Sequence, residues 1–256
     1  MLLIMVKAEN QDMQSDWADE DRAGPVVLPD HYAAVYARIY DRLARFYDPF
    51  VRSALFFMNG GFGGERRWRM DVVDFLEPAP ADRIVDLCSG TGTLTIMIAE
   101  RFRGSGEVIG VEISAAQLRV ASKKALPPGL TFVHASALQT DYPDGHFNKA
   151  VICAALHEMP RETRNLILAE AFRLVRPGGR LVAVEHHLPR EWHKALFINA
   201  FEYLTPEYPT YRDLLESGLQ SEVEAVGFST LETRTTASEY FQMVLAEKPD
   251  SCDTLT

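Results

Sequence analysis

The chain has 256 residues, 47% of them hydrophobic and 24% charged, and its 26 lysines and arginines against 36 aspartates and glutamates leave a formal net charge of −10. This is the composition of a globular protein, which excludes fibrous, collagen-like and disordered chains. The acidic balance argues against nucleic acid as a partner, because phosphate contacts call for a basic surface.

The opening MLLIMV is apolar over too few residues for a signal-peptide core or a membrane span. Six acids and no lysine or arginine lie between Glu9 and Asp21, without an apolar period, so 1–30 reads as a solvated tail. Tyr32, Val35, Tyr36, Ile39, Leu43, Phe46 and Tyr47 then recur at helical spacing until Asp48-Pro49. A second apolar helix from Phe50 to Met58 runs into Gly60-Gly61-Phe62-Gly63-Gly64, which reads either as a lid hinge or as a helix cap. A third pattern, Glu65 to Leu76, ends at Pro78. Residues 31–78 are therefore expected to form a helical cap.

Beyond Pro80 short β-branched runs alternate with helical ones, the pattern of a parallel sheet covered by helices. Strands are expected at Arg83–Leu87, Glu107–Glu112, Leu130–His134, Lys149–Ala154 and Arg180–Glu185, with helices near 93–103, 114–125 and 161–175. A helical, aromatic segment over 189–218, broken at Thr205-Pro206 and Tyr208-Pro209, reads as a lid insertion. Ser229–Arg234 and Tyr240–Glu247 close the sheet. The expected fold is an α/β, doubly wound, seven-stranded, mostly parallel sheet, with one domain over 31–256 and its ligand-binding core at 79–188. Cys88, Cys153 and Cys252 are odd in number, far apart and without a CxxC pair, so neither a disulfide framework nor a zinc site is indicated. A reducing, cytoplasmic setting fits that usage.

The chemistry starts at Ile84-Val85-Asp86-Leu87-Cys88-Ser89-Gly90-Thr91-Gly92-Thr93. A buried strand ending in a glycine turn that opens a helix lets a nucleotide-like ligand approach the backbone and offers it N–H groups. Glu112 ends the next strand twenty positions after Gly92, where a carboxylate can accept bonds from a ribose diol. Asp86 stands just before the glycines, where a ligand carrying an ammonium would use a carboxylate. Counted from Gly90, the third glycine of the dinucleotide fingerprint is replaced by Thr95, which disfavours an oxidoreductase.

These residues resemble motif I of the class I S-adenosylmethionine (SAM) methyltransferases, D-x-G-x-G-x-G, with Asp86, Cys88, Gly90 and Gly92 at the fixed positions and Cys88 departing from the first glycine. The resemblance continues through Glu112, Pro143-Asp144-Gly145-His146-Phe147-Asn148 and Leu174-Val175-Arg176-Pro177-Gly178-Gly179-Arg180-Leu181. Within that superfamily Tyr47-Asp48, Arg67-Trp68-Arg69 and Glu222-Val223-Glu224-Ala225-Val226-Gly227-Phe228 look most like the ubiquinone/menaquinone-biosynthesis C-methyltransferases and their small-molecule relatives. The resemblance implies SAM as cofactor, S-adenosyl-L-homocysteine as product, and cofactor contacts at Thr91, Glu112 and its neighbour Ile113, Ser136-Ala137 near the adenine, and Cys153. Ser136 stands where the family usually has Asp or Asn. After the fourth strand, quinone enzymes of this type commonly read FGxRN, whereas this chain has Ala155-Leu156-His157-Glu158-Met159-Pro160.

Methyl transfer from a sulfonium needs above all an aligned acceptor and excluded water. His157 is the first candidate for a base that removes the acceptor's proton, against a packing role at the helix that follows Pro160. His186, within Glu185-His186-His187, is the second. Adjacent strand residues face opposite sides, so His186 and His187 do not make a metal pair, and no metal is expected. The aromatic cap and lid favour a hydrophobic small-molecule acceptor, a prenylated quinol or a lipid amine, and leave contact with a membrane surface open. A SAM-binding protein without transfer is the alternative. The oligomeric state is not legible.

Overall fold

The structure, a computed structural model, describes residues 44–250 apart from 103–105 and 206. The expected tail over 1–30 and the helical pattern from Tyr32 to Leu43, including Tyr36 and Tyr40, lie outside the described residues. Seven strands form one sheet: β1 (Arg83–Leu87), β2 (Glu107–Glu112), β3 (Leu130–His134), β4 (Phe147–Cys153), β5 (Val175–His186), β6 (Ser229–Thr236) and β7 (Phe241–Glu247). Their order is β3-β2-β1-β4-β5-β7-β6. β1 to β5 pair in parallel, while β7 runs antiparallel between β5 and β6.

The helices are α1 (through 44–58), α2 (Gly64–Leu76), α3 (Thr93–Phe102), α4 (Ala115–Ala121), α5 (Arg161–Leu174), α6 (Trp192–Glu202), α7 (Tyr208–Ser217) and α8 (Leu219–Ala225). Strand residues alternate between the two faces, so each face carries its own core. Ile84, Val108, Val151 and Val182 pack with Trp68, Val72 and Ile98 from α2 and α3. Val85, Ile109, Ile152 and Ala183 pack with Leu168 and Val223 from α5 and α8. Strand order reverses between β2-β1 and β4-β5, which opens the crevice beyond their carboxyl ends where ligands of such sheets bind.

Three features differ from the sequence expectation. β4 and β5 begin earlier than Lys149 and Arg180, because Phe147 pairs with Val175 across a register shift that Pro177-Gly178-Gly179 conceals. The helix expected over 114–125 stops at Ala121, which frees Lys124 for contacts elsewhere. Tyr208-Pro209 does not break the lid: Pro209 lies in the first turn of α7, where its missing N–H removes no bond.

The glycine loop is a cap. Gly63 precedes α2 in the left-handed region (φ 77°), and Arg67 donates to the carbonyls of Phe62 (2.9 Å), Asn59 (2.6 Å) and Gly60 (3.1 Å). A guanidinium fixing three carbonyls holds the turn, which favours the cap reading over the hinge. No helix among the described residues is long and apolar enough to cross a membrane.

Candidate cofactor and active site

A cavity at the carboxyl ends of β1, β2 and β4 brings together Asp86, Cys88, Gly90, Thr91, Glu112, Ile113, Ser136, Ala137 and Cys153. Gly92 is not on its wall. Gly92 has φ 73°, and a Cβ there would fall inside the ring of Phe132 from β3. Its role is to let the start of α3 lie close to the sheet, which is the packing duty of a glycine in a strand-to-helix turn. Cys88 sits at φ 63°, the left-handed region, which gives the physical reason a glycine suits that position.

Glu112 is buried, and both carboxylate oxygens accept backbone bonds, Oε2 from Gly90 N (2.8 Å) and Oε1 from Ser114 N (2.8 Å). Burial raises its pKa, and those N–H groups act against the rise. A carboxylate offers about four lone-pair sites, so the ones left over can take a diol. Ser114 in turn caps α4 by accepting from Gln117 N (3.2 Å), which fixes the turn after β2.

Asp86 is 2% exposed, and its Oδ2 accepts from the hydroxyl of Thr95 (2.6 Å). Burial pushes its carboxyl up to about 7, with Thr95 and the positive charge of Arg69 pulling the other way. A carboxyl held so high is one that a cationic ligand would stabilise. Arg69, buried in α2 with its Nε on Glu65 Oε1 (3.0 Å), lines the same cavity. Asp86 and Arg69 thus present opposite charges to one space.

Further residues border the cavity that were not singled out as cofactor contacts. Gln117 Oε1 and Ser89 Oγ are buried on the cavity wall without a hydrogen-bond partner, and Tyr47 and Glu158 border it too. Arg69 was detectable as a charge in the buried stripe of α2 beside Trp68, Val72 and Leu76. Gln117 had no comparable signal. Ser136 Oγ accepts from Leu138 N (3.2 Å), and Ile113 O faces His134 Nε2 (2.8 Å). Burial pushes both Cys88 and Cys153 thiols up, so neither is a thiolate.

The two histidines do not line this cavity. His157, in the turn Leu156–Glu158, stacks on His186 at 4.2 Å between ring centroids. Its Nδ1 is 2.8 Å from Glu185 Oε2, while Glu185 Oε1 accepts from Ala155 N (2.8 Å) and Leu156 N (2.5 Å). Burial lowers the His157 pKa, but the charge and hydrogen bond of Glu185 outweigh it and raise the ring to about 10. Glu185 thus favours the protonated form of the His157 ring. His186 Nδ1 lies 3.1 Å from Glu202 Oε1 of α6 without hydrogen-bond geometry. His187 turns away, its Nδ1 3.0 Å from Glu239 O. Among the described residues no group of three or more His, Cys, Asp or Glu could hold a metal.

The sheet order, the glycine turn after β1 and the acid ending β2 define a class I methyltransferase fold. A family model described as a methyltransferase domain matches residues 84–179. Demethylmenaquinone methyltransferase of Thermus thermophilus is 34% identical over 188 residues, covering 66% of this chain and 84% of that protein. The enzyme of the same description from Anoxybacillus flavithermus is 27% identical over 235 residues, covering 83% and 95%. A crystal structure of a SAM-dependent methyltransferase from Aquifex aeolicus superposes with a TM-score of 0.57 at 13% identity, covering 70% of this chain and 89% of that one. The chain belongs to the SAM-dependent methyltransferases and resembles the quinone-biosynthesis members among them. SAM is the methyl donor, and the unpartnered Gln117 and Ser89 oxygens, the buried Asp86 carboxyl and the spare acceptor sites of Glu112 fit its amino-acid and ribose parts.

Proposed function

We propose that this protein methylates a hydrophobic, aromatic small molecule, and that the acceptor is a prenylated quinol. The observation that carries the transferase reading is the convergence of Asp86, Arg69 and Glu112 on one cavity. Asp86 takes the ammonium of SAM, Arg69 its carboxylate and Glu112 its ribose diol, with Gly90 and Thr91 supplying backbone and Ser136, Ala137, Ile113 and Cys153 enclosing the adenosyl part. When bound, SAM supplies a methyl carbon activated by the sulfonium; the chain's own part is to align the acceptor and exclude water. The quinol class is supported by the description of the Thermus relative and by the aromatic residues of α1 and α6, where Phe50 stacks on Phe201.

His157 and His186, stacked on each other next to the turn after β4, are proposed as an acid–base pair for the acceptor. Because Glu185 favours the protonated form of His157, its role is that of a fixed charge or proton donor, and His186 is the proton acceptor. His186→Gln should lower kcat against a prenylated naphthoquinol by about 10²-fold or more with SAM affinity retained. Unchanged kcat makes the pair structural. The same assay with acceptor in anionic vesicles and in detergent tests contact with a membrane surface.

The primary test is calorimetric titration with SAM, S-adenosylhomocysteine and NADH. Both adenosyl ligands should bind and NADH should not, and Glu112→Ala should weaken SAM by about 1–3 kcal/mol through loss of charge-assisted ribose bonds. Binding of NADH alone would replace this reading by a dehydrogenase. Binding of the adenosyl ligands without turnover on quinols, phenols or lipid amines would leave a SAM-binding protein without transfer.

A further inference from the structure

The turn between β1 and α3 is tied down by two side chains from outside it. Asp48 of α1 accepts the Thr91 hydroxyl at Oδ1 (2.5 Å), and its Oδ2 lies 2.7 Å from Lys124 Nζ. Lys124, three residues past the end of α4, also donates to the Thr91 carbonyl (2.9 Å) and to Thr93 Oγ1 (2.7 Å). The ammonium thus sits between one carboxylate, the Thr91 carbonyl and the hydroxyl that begins α3. Both side chains of the pair are only about a quarter exposed, at 26% and 24%. Isolated exposed pairs contribute little, but this one is part of a network in which each bond holds the partners of the next.

The position of the pair gives it a purpose beyond folding. Tyr47, one residue before Asp48, lines the cofactor cavity. Asp48 and Lys124 line a second, adjoining cleft together with Arg52 and Phe56. The two spaces share Arg69 and Thr93, and the bridge reaches Thr93 through Lys124, so it borders the partition between them. We propose that Lys124 is a positioning residue whose bridge to Asp48 latches α1 across the cofactor turn, so that release of the adenosyl ligand requires the bridge to open. This rests on the reading of the cavity as a SAM site. Nothing in the spacing of Asp48, Thr91 and Lys124 announces the latch; only the fold brings them together.

The test is the dissociation rate of S-adenosylhomocysteine, measured by stopped-flow displacement on the full chain for wild type, Lys124→Met, Asp48→Asn and the double variant, with thermal melts alongside. Each single variant should release the ligand about tenfold faster, since changes at one interface fall mainly on dissociation. The double variant should be no faster than the faster single one, because both remove the same bridge. Lys124→Arg should restore slow release in part. Release at the wild-type rate from a folded Lys124→Met protein, or effects that simply add in the double variant, would overturn the latch. Absence of ligand binding by the wild type would overturn the cofactor reading and the latch with it.

Discussion

Replacing Arg164 with methionine should cost about 3–5 kcal/mol of folding stability, because it strands a buried carboxylate. Arg164 is fully buried in α5, where its Nε and Nη2 donate to Glu222 Oε2 (2.9 Å) and Oε1 (2.6 Å) of α8. Nη2 also donates to Asp213 Oδ2 of α7 (2.6 Å), and Nη1 to the Met159 carbonyl (2.7 Å). Burial lowers the pKa of this guanidinium, and Glu222 and Asp213 more than restore it. Urea unfolding of Arg164→Met and of Arg164→Met/Glu222→Leu is the measurement. The double variant should recover most of the loss, since an apolar pair of similar volume replaces a buried ion pair at little cost. A loss below about 1 kcal/mol in the single variant would mean that water or a shifted Glu222 relieves the charge. The consequence reaches the site, because the carbonyl that Arg164 holds belongs to Met159, which lines the cofactor cavity beside Glu158.

Asp86→Asn should weaken SAM binding by about 2–5 kcal/mol, the range for removing one partner of a desolvated charge pair, and should also remove a pH dependence. In the free protein the Asp86 carboxyl has a pKa of about 7, raised by burial from 3.8. Binding an ammonium requires the ionised form, so wild-type affinity should be flat above about pH 7 and fall about tenfold per pH unit below it. The effect on folding has the opposite sign. A raised carboxyl pKa favours the folded protein when protonated, a contribution complete below 3.8 and lost as pH rises through 7. Free protein should therefore gain from acid at this one group while cofactor binding suffers. Calorimetry from pH 5.5 to 8 on both proteins checks it; a wild-type profile flat across that range would remove Asp86 from the ammonium.

The parts legible in the sequence were those with local causes. β1, β2 and β3 run over the residues expected, because their β-branched runs are bounded by turn chemistry on both sides. That Asp86, Gly90 and Glu112 share one cavity was legible because a strand end, a glycine turn and a spacing of about twenty residues each constrain where they meet. Gly92 was legible as a glycine of the turn, but Phe132 lies forty residues away and only the fold shows that its ring fills the space. Gln117 and the Asp48–Lys124 bridge were not legible as site residues because their meaning lies in contacts between separate elements. His157 was legible as a candidate base, but its pairing with Glu185, which β5 delivers from 28 residues away, was not.

The placement of β7 sets an order on how the molecule is made. β5 pairs with β7 over seven positions from Arg180 to His186, and β6 holds to the sheet only through β7. While the chain is emerging from a ribosome, β3-β2-β1-β4-β5 can assemble with an uncapped edge, and β6 then has nothing to join. That edge stays open until Phe241–Glu247 arrives, and an unpaired strand edge invites pairing with a neighbouring chain. A truncation before residue 241 would therefore lose no predicted cofactor residue and yet leave a sheet prone to aggregate during synthesis.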